Sequence, residues 1–120
     1  MECYCSPLSL INLSFQYFPN LEKLSFKDFQ DRISLEKLHI YDCRKLTSLP
    51  KEGLPPSLCF LWIQGCPKFA SFPEQGLPPS LLRLIIKGCP KLKQRCQKGK
   101  GRYWRFISHI PCVYIDDKFI

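Results

Sequence analysis

The sequence predicts a stack of repeated units, each giving one short strand to a common parallel β-sheet. Three observations predict it. First, a ten-residue block recurs at 23-residue intervals: Ser34-Leu-Glu-Lys-Leu-His-Ile-Tyr-Asp-Cys43, Ser57-Leu-Cys-Phe-Leu-Trp-Ile-Gln-Gly-Cys66 and Ser80-Leu-Leu-Arg-Leu-Ile-Ile-Lys-Gly-Cys89. Second, Leu38-x-Ile40 alternates, as a short strand does, and Leu61-x-Ile63 and Leu84-x-Ile86 keep the same core positions. Third, the eleven prolines are too many for a helical bundle and concentrate on the return path, where no ladder N–H is needed.

The units are taken in order. Residues 9–33 are a looser first copy: Leu10, Leu13, Phe15, Phe18, Leu21 and Leu24 keep the frame 25 residues before Leu35. Residues 34–56, 57–79 and 80–96 are the regular copies. Their predicted core is Leu35, Leu38, Ile40 and Cys43, then Leu58, Leu61, Ile63 and Cys66, then Leu81, Leu84, Ile86 and Cys89. The second half repeats as well, in Leu46, Phe69 and Leu92, in Leu49 and Phe72, and in Gly53-Leu-Pro-Pro56 and Gly76-Leu-Pro-Pro79. Its leucines are spaced by three, which suits irregular or 3₁₀-like turns. One unit cannot bury its leucines alone; stacked units, with strands about 4.8 Å apart, can. The physical expectation is therefore a solenoid of about four coils.

Residues 97–102 form a basic, flexible link with two glycines, and residues 103–120 a C-terminal cap. Tyr103, Trp104, Phe106, Ile107 and Ile110 suit a short helix or turn with one apolar face, ended by Pro111. Cys112-Val-Tyr-Ile115 reads as a last strand, and Lys118-Phe-Ile120 as a frayed end. Residues 1–8 are an N-terminal remnant too short to cover the first unit. The expectation is that Leu10, Leu13 and Phe15 face an open edge, that the chain is a fragment or truncated product, and that alone it is marginal and tends to associate.

These units resemble leucine-rich repeats of the plant type. Cys66-Pro-Lys68, Cys89-Pro-Lys91, Phe72-Pro-x-x-Gly-Leu-Pro78 and the tail Trp104-x-x-Ile107-x-His-Ile-Pro111 resemble the C-terminal end of plant intracellular coiled-coil, nucleotide-binding, leucine-rich-repeat disease resistance proteins. The resemblance spans about residues 7 to 117. It implies a leucine-rich-repeat solenoid of the α/β class, with a convex side that is irregular or 3₁₀. It also implies a non-catalytic protein–protein recognition module of an immune receptor, which helps sense a pathogen signal and restrains a switch domain. The implied location is cytoplasmic, nucleocytoplasmic or peripheral to the plasma membrane. ADP or ATP would bind an upstream domain of such a receptor. No G-x-x-x-x-G-K-[ST] stands in this chain, and Gly99-Lys-Gly101 lacks the spacing, so no cofactor is expected here.

Charge and composition narrow the function. The net charge is +8, from 18 basic and 10 acidic residues. No acid lies between positions 75 and 115, where Lys87, Lys91, Lys93, Arg95, Lys98, Lys100, Arg102 and Arg105, beyond Arg83, equal the whole excess. This is a neutral body with one basic segment, suited to a solvated turn or an acidic surface. Beside Tyr103 and Trp104 it also suggests nucleic acid, the alternative reading together with a free-standing adaptor. No apolar run reaches 18 residues, so no transmembrane segment is expected. Glu2 stands where a secretory signal is basic, so export by that route is not expected either.

The strand positions between core residues form columns on the other face, concave in a solenoid: Asn12, Lys37, Phe60 and Arg83; Ser14, His39, Trp62 and Ile85; Gln16, Tyr41, Gln64 and Lys87. With Leu82, the aromatics make an apolar patch beside cations, as protein interfaces favour. The candidate partner-binding residues are Lys37, His39, Tyr41, Phe60, Trp62, Gln64, Arg83, Ile85 and Lys87, and the partner is a protein, either a pathogen effector or another receptor domain.

Catalysis is not expected. Asp116 and Asp117, if on a strand, point to opposite faces, and Cys112 and His109 lack an orienting group. The eight cysteines suggest a disulfide scaffold, but Cys43, Cys66 and Cys89 share one repeat position and read as buried structural thiols, kept reduced in a cytosol. Zinc on Cys89, Cys96, His109 and Cys112 is disfavoured because no C-x-x-C pair occurs. His109 reads as a capping contact. Cys3 and Cys5 lie outside the repeats.

Overall fold

A computed structural model describes residues 12–24, 35–50 and 53–120. The expectations about residues 1–8, Leu10, Cys3 and Cys5 lie outside the described residues, as does Ser34.

One open sheet organises the chain. It contains β1 (Asn12–Gln16), β2 (Lys37–Tyr41), β3 (Phe60–Gln64), β4 (Arg83–Lys87), β5 (Cys112–Ile115) and β6 (Lys118–Phe119), in that spatial order. The first five strands run parallel, and β6 turns back antiparallel on β5. Two short helices, α1 (Pro90–Arg95) and α2 (Trp104–Ile107), lie between β4 and β5. The result is a sheet-dominated α/β fold.

The sequence period sets the register. Leu13, Leu38, Leu61, Leu84 and Val113 are successive partners, as are Phe15, Ile40, Ile63, Ile86 and Ile115. Because side chains alternate along a strand, a one-residue slip would turn every one of these onto the wrong face. Leu35, Leu38, Ile40, Cys43, Leu58, Leu61, Ile63, Cys66, Leu81, Leu84, Ile86 and Cys89 are all buried in one cluster with Leu46, Phe69 and Leu92. Leu13 and Phe15 are half-buried against that cluster.

Two hydrogen-bond lines run across the units. The residue after each of the five parallel strands has positive φ: Tyr17 (59°), Asp42 (53°), Gly65 (68°), Gly88 (62°) and Asp116 (50°). The amides of Tyr17, Asp42 and Gly65 donate to the Tyr41, Gln64 and Lys87 carbonyls, at 3.0, 2.8 and 2.9 Å. Glycine suits this position for a second reason at Gly65, where a Cβ would collide with the Asp42 carboxylate. The second line is a return path on which Lys23, Ser48 and Ser71 bridge in parallel and the Thr47 and Ala70 amides donate to the Glu22 and Thr47 carbonyls, at 3.1 and 3.0 Å.

The fourth unit departs from the irregular return path expected of it. Pro50 and Pro73 bar a helix at the residues before them, but Cys96 stands at the equivalent position, so Lys91 to Arg95 wind into α1. Pro90 opens the helix, where its missing N–H costs nothing, and Leu92 buries its one core face.

Three further expectations are corrected. Residues 97–102 are not a loose link: the Lys100 and Gly101 amides donate to the Gln97 carbonyl at 3.1 and 2.8 Å, and the Tyr103 amide returns to the Arg95 carbonyl at 2.7 Å. Gly101 is required there, because a Cβ would strike that Arg95 carbonyl. Lys118 to Ile120 is not frayed: β6 pairs with β5, and the Ile120 amide donates to the Val113 carbonyl at 2.9 Å. Asp116 and Asp117 are not on a strand. Both have positive φ (50° and 68°) and form the two-residue turn of the β5–β6 hairpin.

Candidate functional site

Five strands bring the alternate side chains to one outward face. Register places Asn12, Lys37, Phe60, Arg83 and Cys112 in one column, and Ser14, His39, Trp62, Ile85 and Tyr114 in the next. Gln16, Tyr41, Gln64 and Lys87 make the third. Cys112 and Tyr114 extend the columns beyond the residues singled out in the sequence. The signal that would have found them is the Cys-Val-Tyr-Ile alternation of β5, which matches Arg-Leu-Ile-Ile of β4 position for position.

At the centre, four rings pack against one another. The His39 ring lies 5.3 Å from Phe60 and 6.2 Å from Trp62, and Trp62 lies 6.0 Å from Tyr41 and 6.1 Å from Phe60. These four contacts are edge-on, with interplanar angles of 69° to 84°, the favourable arrangement of aromatic quadrupoles. His39 and Tyr41 are stacked at 5.8 Å along β2. Trp62 Nε1 donates to Gln64 Oε1 at 3.0 Å, so the indole is oriented. The patch is therefore not a set of free rings: Phe60, Trp62 and Ile85 are half-buried by their neighbours, and only Leu82 counts as exposed.

Cations border this cluster. The Arg83 guanidinium stands 5.7 Å over the Phe60 ring. Lys37 precedes His39 on the same face, and Lys87 pairs with Asp117 at 3.1 Å. Burial among the rings, and then the Lys37 charge, hold His39 below its usual 6.5, so the imidazole is neutral at physiological pH.

The basic segment is partly structural. Lys93 pairs with Asp116 at 2.9 Å, and Arg95 is half-buried with Nη1 donating to the Ala70 carbonyl at 2.7 Å. Arg105 lies 5.2 Å over the Phe106 ring. Lys91, Lys98, Lys100 and Arg102 remain exposed.

Most of the described cysteines lie in the core. Cys43, Cys66 and Cys89 are buried free thiols that donate to the Tyr41, Gln64 and Lys87 carbonyls, at 3.5, 3.5 and 3.3 Å. The Cys66 thiol is pushed far up by donating a hydrogen bond to Cys89 and then by burial, and accepting that bond holds Cys89 below the usual thiol value; burial pushes Cys96 up to about 12. Cys66 and Cys96, held protonated, are poor nucleophiles. His109 is exposed rather than a capping contact, and its neighbours Ile107 and Ile110 carry the packing. Among the described residues, no group of three or more His, Cys, Asp or Glu is placed to hold a metal ion. A groove of about 590 Å³ at the return path, lined by Lys23, Thr47, Ser48, Ser71, Phe72 and Glu74, has no histidine or thiol among its described lining. No helix among the described residues is long and apolar enough to cross a membrane.

No protein-family model, curated protein or solved structure matches the chain.

Proposed function

We propose that this chain is a non-catalytic protein-recognition module, a leucine-rich-repeat solenoid of the kind that ends plant intracellular immune receptors. In that role it contributes to pathogen sensing and the defence response from the cytoplasmic side. One observation carries the reading: the repeat register gathers His39, Tyr41, Phe60 and Trp62 into a single ring cluster on the outward sheet face, bordered by Lys37 and Arg83. Aromatics and arginine packed together on an otherwise polar surface are the composition of interface hot spots. The sequence resemblance supports the receptor context, and the 23-residue register supports the repeat reading.

The test is proximity labelling in leaf cells with the wild-type chain and with Trp62→Ala. Loss of a central hot spot costs on the order of 2 kcal/mol, or about 30-fold in affinity. A labelled partner should therefore be lost from the variant while its urea midpoint stays unchanged. Retention of every partner by a folded Trp62→Ala chain would sink the reading.

Nucleic-acid binding is the second reading, motivated by exposed Lys98, Lys100 and Arg102 beside Tyr103 and Trp104. Tyr103, however, is buried with its ring 5.0 Å from Phe72 and 5.6 Å from Phe106. Trp104 and Phe106 are half-buried against the core, which leaves the segment charge little ring face to stack on, so protein recognition is the better-supported function.

A further inference from the structure

We infer that the outward face of β2, β3 and β4 takes an acidic segment of a partner protein, one in which an apolar side chain stands between two carboxylates. The inference rests on the recognition reading above and adds the partner's chemistry.

Charge comes first. Among the twelve outward positions of β1 to β4 there is no acid, while Lys37, Arg83 and Lys87 are cationic. Lys87 already holds Asp117 at 3.1 Å. Lys37 and Arg83 are exposed, and neither forms an ion pair among the described residues. A partner that brought cations here would meet uncompensated repulsion, whereas carboxylates would find two open partners.

Order comes second. Lys37, Phe60 and Arg83 are direct cross-strand neighbours, so the cations flank an aromatic ring in one line. Their backbones are two strand spacings apart, about 10 Å. An extended segment covers that span in about three residues. The middle of such a segment falls on the edges of Phe60 and Trp62, beside half-buried Ile85 and exposed Leu82.

Ring geometry separates a protein from a nucleic acid. Base stacking needs open ring faces. Here Phe60 and Trp62 meet edge-on at 84°, and the guanidinium of Arg83 covers Phe60 at 5.7 Å. Such a half-buried surface suits an aliphatic or aromatic side chain wedged against ring edges, and offers a base no face to stack on.

The experiment uses the full 120-residue chain and a fluorescein-labelled array of short acid–apolar–acid peptides. Each peptide is paired with a twin carrying Asn or Gln in place of the acids. A labelled oligothymidylate is the third probe. Binding is read by anisotropy at low and high salt, for wild type, Lys37→Glu, Arg83→Glu and Trp62→Ala, with urea midpoints confirming folded proteins. The acidic peptides should bind about tenfold more tightly than their twins, with each charge reversal removing about tenfold. Twins that bind equally well, still weakened by Trp62→Ala, would overturn the acidic partner and leave recognition at this face standing. Failure of every peptide in the array would overturn the inference. Oligothymidylate binding that is lost with Lys98, Lys100 and Arg102 but indifferent to Trp62→Ala would overturn it together with the recognition reading.

Discussion

At the scale of single residues, two charged side chains stand where a further strand's backbone would. The amides of Tyr17, Asp42 and Gly65 each find a carbonyl on the following unit, but the Gly88 amide finds Asp116 Oδ1 at 2.9 Å. The Thr47 and Glu22 carbonyls accept backbone amides, but the Ala70 carbonyl accepts from Arg95 Nη1. The Gly88 hydrogen bond and then Lys93 hold the Asp116 carboxyl below its usual range. His39 is displaced downward as well, which gives stability a pH dependence of predictable sign. Its folded value lies below 6.5, so the unfolded chain binds more protons in that region. The contribution is therefore present above about pH 6.5 and lost as pH falls through the folded value. Urea midpoints from pH 7.5 to 5 should fall more steeply for wild type than for His39→Gln. Parallel profiles would show that the ring cluster does not disfavour the imidazolium. None of these roles was readable in the sequence, where Arg95 was only a member of a charge count, Asp116 only a carboxylate weighed for catalysis and His39 only a residue of the candidate binding face.

At the scale of elements, the strands were legible and the helices less so. Leu-x-x-Leu-x-Ile at a constant 23-residue spacing places β2, β3 and β4, because the period-two Leu-x-Ile pair buried on one face admits a single register. The helix α1 depended on a missing residue: Cys96 where Pro50 and Pro73 stand in the earlier units. Arg95 fastens α1 to the unit before it, with Nη1 on the Ala70 carbonyl and its own carbonyl accepting from Tyr103. Arg95→Ala should cost about 1–3 kcal/mol by leaving that carbonyl short of a donor. The measurement is a urea titration with Lys98→Ala as the exposed control; a change no larger than the control's would mean that water satisfies the carbonyl equally well.

At the scale of the whole molecule, stability is passed from unit to unit. The buried leucines of all the repeats belong to one continuous cluster, so the repeats share a core. The segment 103–120 closes one end. Tyr103 stacks near Phe72 and Phe106, Ile107, Ile110, Val113 and Ile115 join the buried cluster, and β5 covers the edge of β4. Phe106 lies so close to Gly76 that a Cβ there would meet its ring at 3.0 Å. Deleting residues 103–120 should uncover the β4 edge and the side of Leu84 and Ile86. The expected outcome is self-association in sedimentation velocity and a lower urea midpoint. A truncated chain that stays monomeric with an unchanged midpoint would show that the segment is an appendage rather than a cap.

The sequence by itself determined strands β1 to β4 and their register, the buried leucine and cysteine positions of the repeats and the three outward columns. All of these follow from periodicity, because a fixed spacing with one apolar face has one packed solution. Only the tertiary structure decided which side chains end the hydrogen-bond lines, that the last residues pair instead of fraying, and that the outward rings lock edge-on beside two cations with no ion pair among the described residues. These depend on meetings between residues far apart in the chain, such as Gly88 with Asp116, Ala70 with Arg95 and Gly76 with Phe106, and no local pattern records which of them will meet.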